Sequence, residues 1–156
     1  FDVQVGDAVG GYQESKFFEA GDKIAVAKTP FGNIGLMVCY DLRFPELALM
    51  LRQQGANILT APAAFTYTTG QLHWQLLLQA RAMDSQCYVL GAAQQGWHGE
   101  QRQTWGHAGI TDSRGQLLEM INTEGHGLMT CPFDLAEQNA LRLAMPLMQH
   151  RKLIHY

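Results

Sequence analysis

Short apolar runs alternate with segments of helical periodicity over the first 93 residues of this chain. Four of these runs predict β-strands, at residues 24–28, 32–38, 57–61 and 87–93. Pro45 opens a predicted helix that continues through Arg52, and apolar side chains recur at near-helical spacing over residues 71–85. The order of strand, helix, strand, helix and strand predicts crossover connections and a sheet covered by helices.

The pattern changes in the last third of the chain. Residues 94–105 are mostly polar and predict a loop. Residues 106–111 and 116–121 flank Asp112-Ser113-Arg114-Gly115, which predicts a β-hairpin. A further apolar run predicts a strand over residues 127–133.

The C-terminal segment carries a helix signal. Asp134 is a candidate N-cap for a helix over residues 135–143, with Glu137 in its first turn as the capping-box partner. The tail over residues 146–156 has no strong periodicity. Because no repeat, low-complexity tract or internal linker interrupts the sequence, we expect residues 1–156 to form one domain or part of one.

The composition narrows the class of protein. Hydrophobic residues make up 47% of the 156 residues, enough for one ordinary core, and the net charge of −3 argues against a nucleic-acid partner. No run of about 18 apolar residues is present, so we expect no membrane span. Three scattered cysteines suit free thiols in a reducing, cytoplasmic compartment better than a disulfide framework.

Cys39 is the most informative residue, because it follows a predicted strand and precedes the helix that Pro45 opens. A thiol on a strand-to-helix turn faces a crevice and lies near backbone N–H groups and a helix N-terminus. Both features favour the thiolate, which is the reactive form of a cysteine nucleophile. The alternative is an inert, buried cysteine, the usual role of an unpaired cysteine on an apolar strand.

The residues that follow favour the nucleophile. Cys-Tyr-Asp-Leu-Arg-Phe-Pro-Glu-Leu, at positions 39–47, resembles the nucleophile segment of the nitrilase, or carbon-nitrogen hydrolase, superfamily. Other matching segments are Pro62-Ala63-Ala64-Phe65, Thr69-Gly70, His73-Trp74, Gln86-Cys87-Tyr88-Val89 and Trp105-Gly106-His107. The resemblance implies an α/β fold, the α-β-β-α sandwich, with residues 1–156 as the C-terminal part of a single carbon-nitrogen hydrolase domain.

The resemblance also implies a set of catalytic roles. Cys39 matches the nucleophile, and the backbone N–H of Tyr40 matches the oxyanion donor. Glu14, within Tyr12-Gln13-Glu14-Ser15, matches a second active-site glutamate, although by composition alone it is a solvated loop carboxylate. The family uses a Glu-Lys-Cys triad, of which only the cysteine is matched in this chain, so we expect little or no amidase activity from the chain alone.

Three more residues are expected to support the site. Asp41 and Arg43 flank the nucleophile, and an ion pair from Arg43 to Asp41 or Glu46 would fix the turn. His73 could act as a general base because histidine titrates near neutral pH. The resemblance assigns the base to a glutamate, so we interpret His73 as a hydrogen-bonded structural residue.

The six histidines have no close ligand spacing, and we expect no metal and no cofactor. By resemblance, the partners are a small-molecule amide substrate and further copies of the chain, in a homodimer or higher homo-oligomer.

The substrate follows from one loop. Ala92-Ala93-Gln94, with Gly96 and His98 after it, resembles the branch of the superfamily that contains deaminated glutathione amidase. That branch implies hydrolysis of a linear amide to a carboxylate and ammonia through a cysteine thioacyl intermediate. The alternatives are an omega-amidase acting on small dicarboxylate monoamides, and a non-catalytic remnant or interaction module that lacks the family's Glu and Lys.

Overall fold

The computed structural model describes residues 4–5, 12–122 and 125–152. Its main feature is a six-stranded sheet with the spatial order β10-β9-β6-β5-β4-β3. The strands are β3 Val26–Thr29, β4 Gly32–Leu36, β5 Ile58–Thr60, β6 Tyr88–Gly91, β9 Gly109–Thr111 and β10 Leu117–Met120. The three central strands β4, β5 and β6 run parallel and the outer pairs are antiparallel, which confirms the predicted mixed α/β class.

Four α-helices and two small sheets complete the described structure. The helices are α1 Pro45–Gln53, α2 Tyr67–Ser85, α3 Leu135–Ala144 and α4 Leu147–His150. One small sheet pairs β1 Gln4–Val5 with β2 Tyr12–Gln13, and the other pairs β7 Gln95–His98 with β8 Arg102–Trp105. No helix in these residue ranges has the length and apolar content needed to cross a bilayer.

Helices α1 and α2 cover one face of the sheet and form the core with it. The buried side chains include Leu51 and Leu78 from the helices and Leu59 and Val89 from the strands. Gly91 lets α2 approach the sheet, because a Cβ atom there would lie 2.7 Å from atoms of both Leu78 and Trp74. Since β4, β5 and β6 are parallel, this packing aligns their carboxyl ends along one edge.

The opposite face is only partly covered. The segment that was predicted to be a strand, residues 127–133, is not one; it lies against this face of the sheet. The Phe133 ring contacts the Tyr88 ring edge-on at 4.9 Å between centroids. The apolar side chains thus pack on the sheet face and do not form a ladder, and Pro132 has no amide hydrogen to contribute to one. Leu36 on the same face stays 48% exposed.

The predicted helices are present with shifted ends. Helix α2 begins at Tyr67 and not at residue 71, and its first turn contains Gly70, which disfavours helix by propensity. Glycine is required there because a Cβ atom would lie 2.2 Å from Cβ of Trp105. The prediction of a loop over residues 94–105 was wrong, because these residues form the β7–β8 hairpin.

Local signals were more reliable. Asp134 Oδ1 accepts the backbone N–H of Glu137 at 2.9 Å, which confirms the predicted N-cap of α3. Asp112 Oδ1 accepts the backbone N–H groups of Arg114 and Gln116, at 2.9 and 2.8 Å, and so closes the predicted hairpin between β9 and β10.

Candidate active site

Cys39 lies on a strained turn just beyond the carboxyl end of β4. It is the first residue of a 3₁₀ turn, Cys39–Arg43, and has a φ of +47°, in the left-handed region that non-glycine residues rarely adopt. Two hydrogen bonds hold the turn: Cys39 N donates to Pro62 O at 2.9 Å, and Val38 N donates to Asp41 Oδ2 at 2.9 Å. Backbone strain of this kind is concentrated at functional sites. The side chain of Asp41 therefore stabilises the turn, as predicted.

Hydrogen bonds continue the parallel pairing past the strand ends. Ala61 N donates to Leu90 O at 2.9 Å, and Ala63 N donates to Ala92 O at 2.8 Å. The segment after β5 therefore lies between the Cys39 turn and the segment after β6. In open α/β sheets, ligand sites lie at this carboxyl edge.

Two backbone amides point at the sulfur of Cys39. The N–H groups of Ala64 and Tyr40 each donate to the thiol and favour its anion. Tyr40 N–H is the donor that the sequence resemblance predicted. Ala64 was not predicted, since it lies 25 positions away in the sequence and its methyl side chain carries no chemical signal. Two amides at one sulfur are also placed to bind an oxyanion that forms beside it.

The thiol itself is not activated in this chain. Burial raises the pKa of Cys39 above that of an ordinary cysteine and outweighs the two amide donors. The carboxylate of Glu14 raises this pKa further, whereas the guanidinium of Arg102 lowers it. The expectation that the turn favours the thiolate was therefore wrong, because desolvation is the larger effect. Glu14 is brought within electrostatic range of Cys39, as its predicted place in the site requires.

The first prediction concerns this pKa. In the Glu14→Gln variant, the pKa of Cys39 should fall, because a negative charge that disfavours the thiolate is removed. At a fixed pH of about 8, more of the thiol is then ionised and iodoacetamide reacts faster. The measurement is the pH dependence of the alkylation rate at the Cys39 peptide, followed by mass spectrometry. Glu19→Gln, which removes an exposed carboxylate five positions away, is the matched control and should leave the profile unchanged. A Glu14→Gln profile equal to that of the parent chain would contradict the assignment.

Arg43 and His73 contact each other next to the turn. Arg43 Nη1 lies 3.3 Å from His73 Nδ1, and because a guanidinium only donates, Nδ1 is the acceptor. The guanidinium carbon of Arg43 also lies 5.5 and 5.3 Å from the ring centroids of Tyr40 and Phe65. These contacts differ from the predicted ion pair to Asp41 or Glu46. They agree with the interpretation of His73 as a hydrogen-bonded structural residue.

Arg81 is a support that sequence reasoning missed. It is buried on α2, and its Nε donates to Leu42 O within the Cys39–Arg43 turn at 2.9 Å. Its Nη1 is paired with Asp84 Oδ2 at 2.9 Å. A buried arginine that binds a turn carbonyl couples the position of the nucleophile to α2, and the signal for it was an arginine on an apolar helix face.

The β7–β8 hairpin is attached to the segment after β5. Trp105 N donates to Phe65 O at 3.0 Å, and Thr66 pairs with Thr104 in an isolated antiparallel bridge. Arg102 on β8 donates from Nη2 to Ala64 O at 3.2 Å. The hairpin thus brings a cationic side chain to the site from a segment that sequence reasoning had interpreted as a loop.

The chain offers no constellation for a metal within the described ranges, where no three His, Cys, Asp or Glu side chains converge.

Comparisons with known proteins agree with this geometry. The profile of the family described as carbon-nitrogen hydrolase matches residues 6–143. The deaminated glutathione amidase of Yersinia enterocolitica is 43% identical over 99% of this chain and 54% of its own length. The solved structure of the Caenorhabditis elegans NitFhit protein superposes with a TM-score of 0.82 at 38% identity, over 97% of this chain and 37% of that one.

A more distant structure bears on the cysteine. An amidase variant from Nesterenkonia sp. is 25% identical, with a TM-score of 0.61 over 67% of this chain and 39% of that one. In that protein the acetamide moiety of fluoroacetamide is covalently added at the active-site cysteine. This chain spans about half, or less, of the length of the curated relatives that it matches.

Proposed function

The chain belongs to the carbon-nitrogen hydrolase family, and we propose that it supplies the nucleophile, Cys39, of an amidase that converts a linear amide to a carboxylate and ammonia. One observation carries the proposal: Cys39 sits on a strained turn at the carboxyl edge of the parallel strands, with two backbone N–H groups at its sulfur. The covalent adduct at the cysteine of the Nesterenkonia amidase supports the same role here.

The proposed reaction has two halves. The Cys39 sulfur attacks the amide carbon as its proton passes to a base, and the N–H groups of Tyr40 and Ala64 bind the oxyanion. The C–N bond then breaks, ammonia leaves with the transferred proton, and a thioester remains on the sulfur. Water, deprotonated by the base, attacks the thioester and releases the carboxylate together with the free thiol. The net reaction consumes one amide and one water.

The raised pKa of Cys39 makes a base essential. A thiol that is mostly protonated near neutral pH reacts only if a neighbouring group accepts its proton as the bond forms. Glu14 acts on the sulfur electrostatically, and we assign it a positioning role beside the amide nitrogen. By family resemblance, the base glutamate and a lysine that stabilises the tetrahedral intermediate are further requirements that no residue of this chain matches.

The second prediction therefore compares two proteins. The 156-residue chain should release ammonia about 10²- to 10⁴-fold more slowly than the full-length Yersinia enterocolitica relative, because general-base catalysis is missing. Joining the chain to the part of that relative with which it does not align should restore ammonia release. A joined protein that folds but releases no ammonia would favour the non-catalytic remnant.

The substrate is proposed from the relatives. We assign an acyl group like that of deaminated glutathione, the substrate named for the Yersinia enterocolitica protein. An omega-amidase acting on small dicarboxylate monoamides is the alternative, and kcat/KM for the two amides, measured on the joined protein, separates them.

Assembly and location are proposals of the same kind. We propose a homodimer or higher homo-oligomer, and in its support α2 exposes Leu72 and Leu76, which are 67% and 65% accessible. Apolar side chains exposed one turn apart form a stripe that a second copy could cover. The three cysteines are free, which supports a reducing, cytoplasmic compartment.

A further inference from the structure

The β7–β8 hairpin presents two basic side chains on one face. His98 pairs directly with Arg102 in the antiparallel register, so both side chains project from the same side of the hairpin. Thr104 lies on that face as well, and its Oγ1 is 2.8 Å from His98 Nε2. The bridge between Thr66 and Thr104 sets this face against the segment that carries Ala64.

Arg102 is fixed relative to the nucleophile through one residue. Its Nη2 donates to Ala64 O at 3.2 Å, while the amide hydrogen of Ala64 is directed at the sulfur of Cys39. The side chain of Arg102 is nevertheless exposed, so a ligand can reach it from solvent. A guanidinium carries five donors in a planar fork that matches a carboxylate, more than one backbone contact uses.

The charge of Arg102 is also felt at the reacting sulfur, where it lowers the pKa of Cys39. The same guanidinium would attract an anionic substrate toward this edge of the sheet, since charge interactions strengthen where water is partly excluded. Glu14 acts on the sulfur with the opposite sign, so the site has a negative and a positive contributor.

Resting on the proposed function, we propose that Arg102 is a specificity residue that binds a carboxylate on the acyl portion of the substrate. The substrate class is then amides whose acyl group carries a second, ionised carboxyl group, and neutral aliphatic amides are poor substrates. A purely structural Arg102, which only holds Ala64 in place, would give no preference for an anion.

The test uses the 156-residue chain and requires no turnover. Cys39 is alkylated with iodoacetate, which is anionic, and with iodoacetamide, which is neutral, and each rate is measured on the Cys39 peptide. Both reagents react with the same thiolate, so the ratio of the two rates cancels the pKa of the thiol and reports the local potential. In Arg102→Gln, this ratio should fall about fivefold at low ionic strength.

Matched variants separate charge from structure. Arg102→Lys keeps the charge and should keep most of the ratio, and Arg114→Gln removes an exposed charge on the β9–β10 turn and should not change it. Succinate, a dicarboxylate, should protect Cys39 of the parent chain from iodoacetamide, whereas neutral succinamide should protect less. Arg102→Gln should lose the protection by succinate.

The proposal is overturned if Arg102→Gln retains the ratio of the parent chain, or if succinate protects both chains equally. Neither measurement depends on ammonia release. A failure of the proposed amidase activity would therefore appear in the joined protein, whereas a failure of anion recognition would appear in these alkylation rates.

Discussion

Replacing Cys39 by alanine is expected to lower kcat for ammonia release by about 10⁴-fold or more in the protein joined to the Yersinia enterocolitica segment. The substitution removes the atom that forms the thioester, and the amides of Tyr40 and Ala64 then have no covalent intermediate to stabilise. Cys39→Ser should lose activity to a similar degree, because a hydroxyl is a much weaker nucleophile on a site built around sulfur. The measurement is ammonia release at saturating amide.

Cys131→Ala is the matched control for this experiment. Cys131 is a free, partly buried cysteine that lines the cavity beside Phe133 on the uncovered face of the sheet. It should keep kcat within about twofold of the parent, as surface changes far from a site usually do. Cys39→Ala should also unfold at nearly the same urea concentration as the parent, because alanine keeps a Cβ atom at the same strained φ. Hydrolysis retained by Cys39→Ala would contradict the mechanism.

The position of Cys39 could be predicted because its signal is local. An apolar run, a cysteine and Pro45 a few residues later specify a strand, a turn and a helix start within one short segment. The groups that complete the site are not local. Ala64 and Arg102 reach the sulfur only because parallel pairing of β4, β5 and β6 aligns the segments that follow them. A single sequence carries no trace of that alignment.

The same distinction explains the fold predictions that succeeded and failed. Asp134 and Asp112 each bind backbone groups within four residues, so their caps follow from the sequence. The β7–β8 hairpin was missed because its strands are largely polar and exposed, which removes the alternation that identifies a strand. Residues 127–133 failed in the opposite sense, because their apolar side chains cover a sheet face without joining a ladder.

The raised pKa of Cys39 connects the fold to the proposed chemistry. The turn buries the sulfur, and burial costs the anion more than two amide hydrogens and Arg102 return. A site in this state binds and orients an amide but keeps its nucleophile protonated until a base arrives. The described residues therefore form the acyl-binding half of a reaction centre, and the proton-transfer half has to come from the family's Glu and Lys.

Trp74 is the side chain on which the packing behind the site depends most. It is 1% exposed on α2, and its ring contacts the Phe65 ring edge-on at 5.1 Å between centroids. Its Nε1 donates to His107 O at 2.7 Å. Trp74 thus joins α2 to the segment after β5 and to the loop after β8, where His107 has a φ of +59°.

Trp74→Ala is therefore expected to lower the free energy of unfolding by about 3–5 kcal/mol, the usual cost of removing a buried tryptophan. Trp74→Phe should cost less, about 1–2 kcal/mol, because it keeps most of the apolar contact and leaves only His107 O without its donor. Trp97, which is 65% exposed at the hairpin, provides the matched control, and Trp97→Ala should stay within about 0.5 kcal/mol of the parent. Urea unfolding followed by circular dichroism measures all three. If Trp74→Ala abolishes folding, the Trp74→Phe value still decides the matter: a cost no larger than that of Trp97→Ala would show that Trp74 does not hold these segments together.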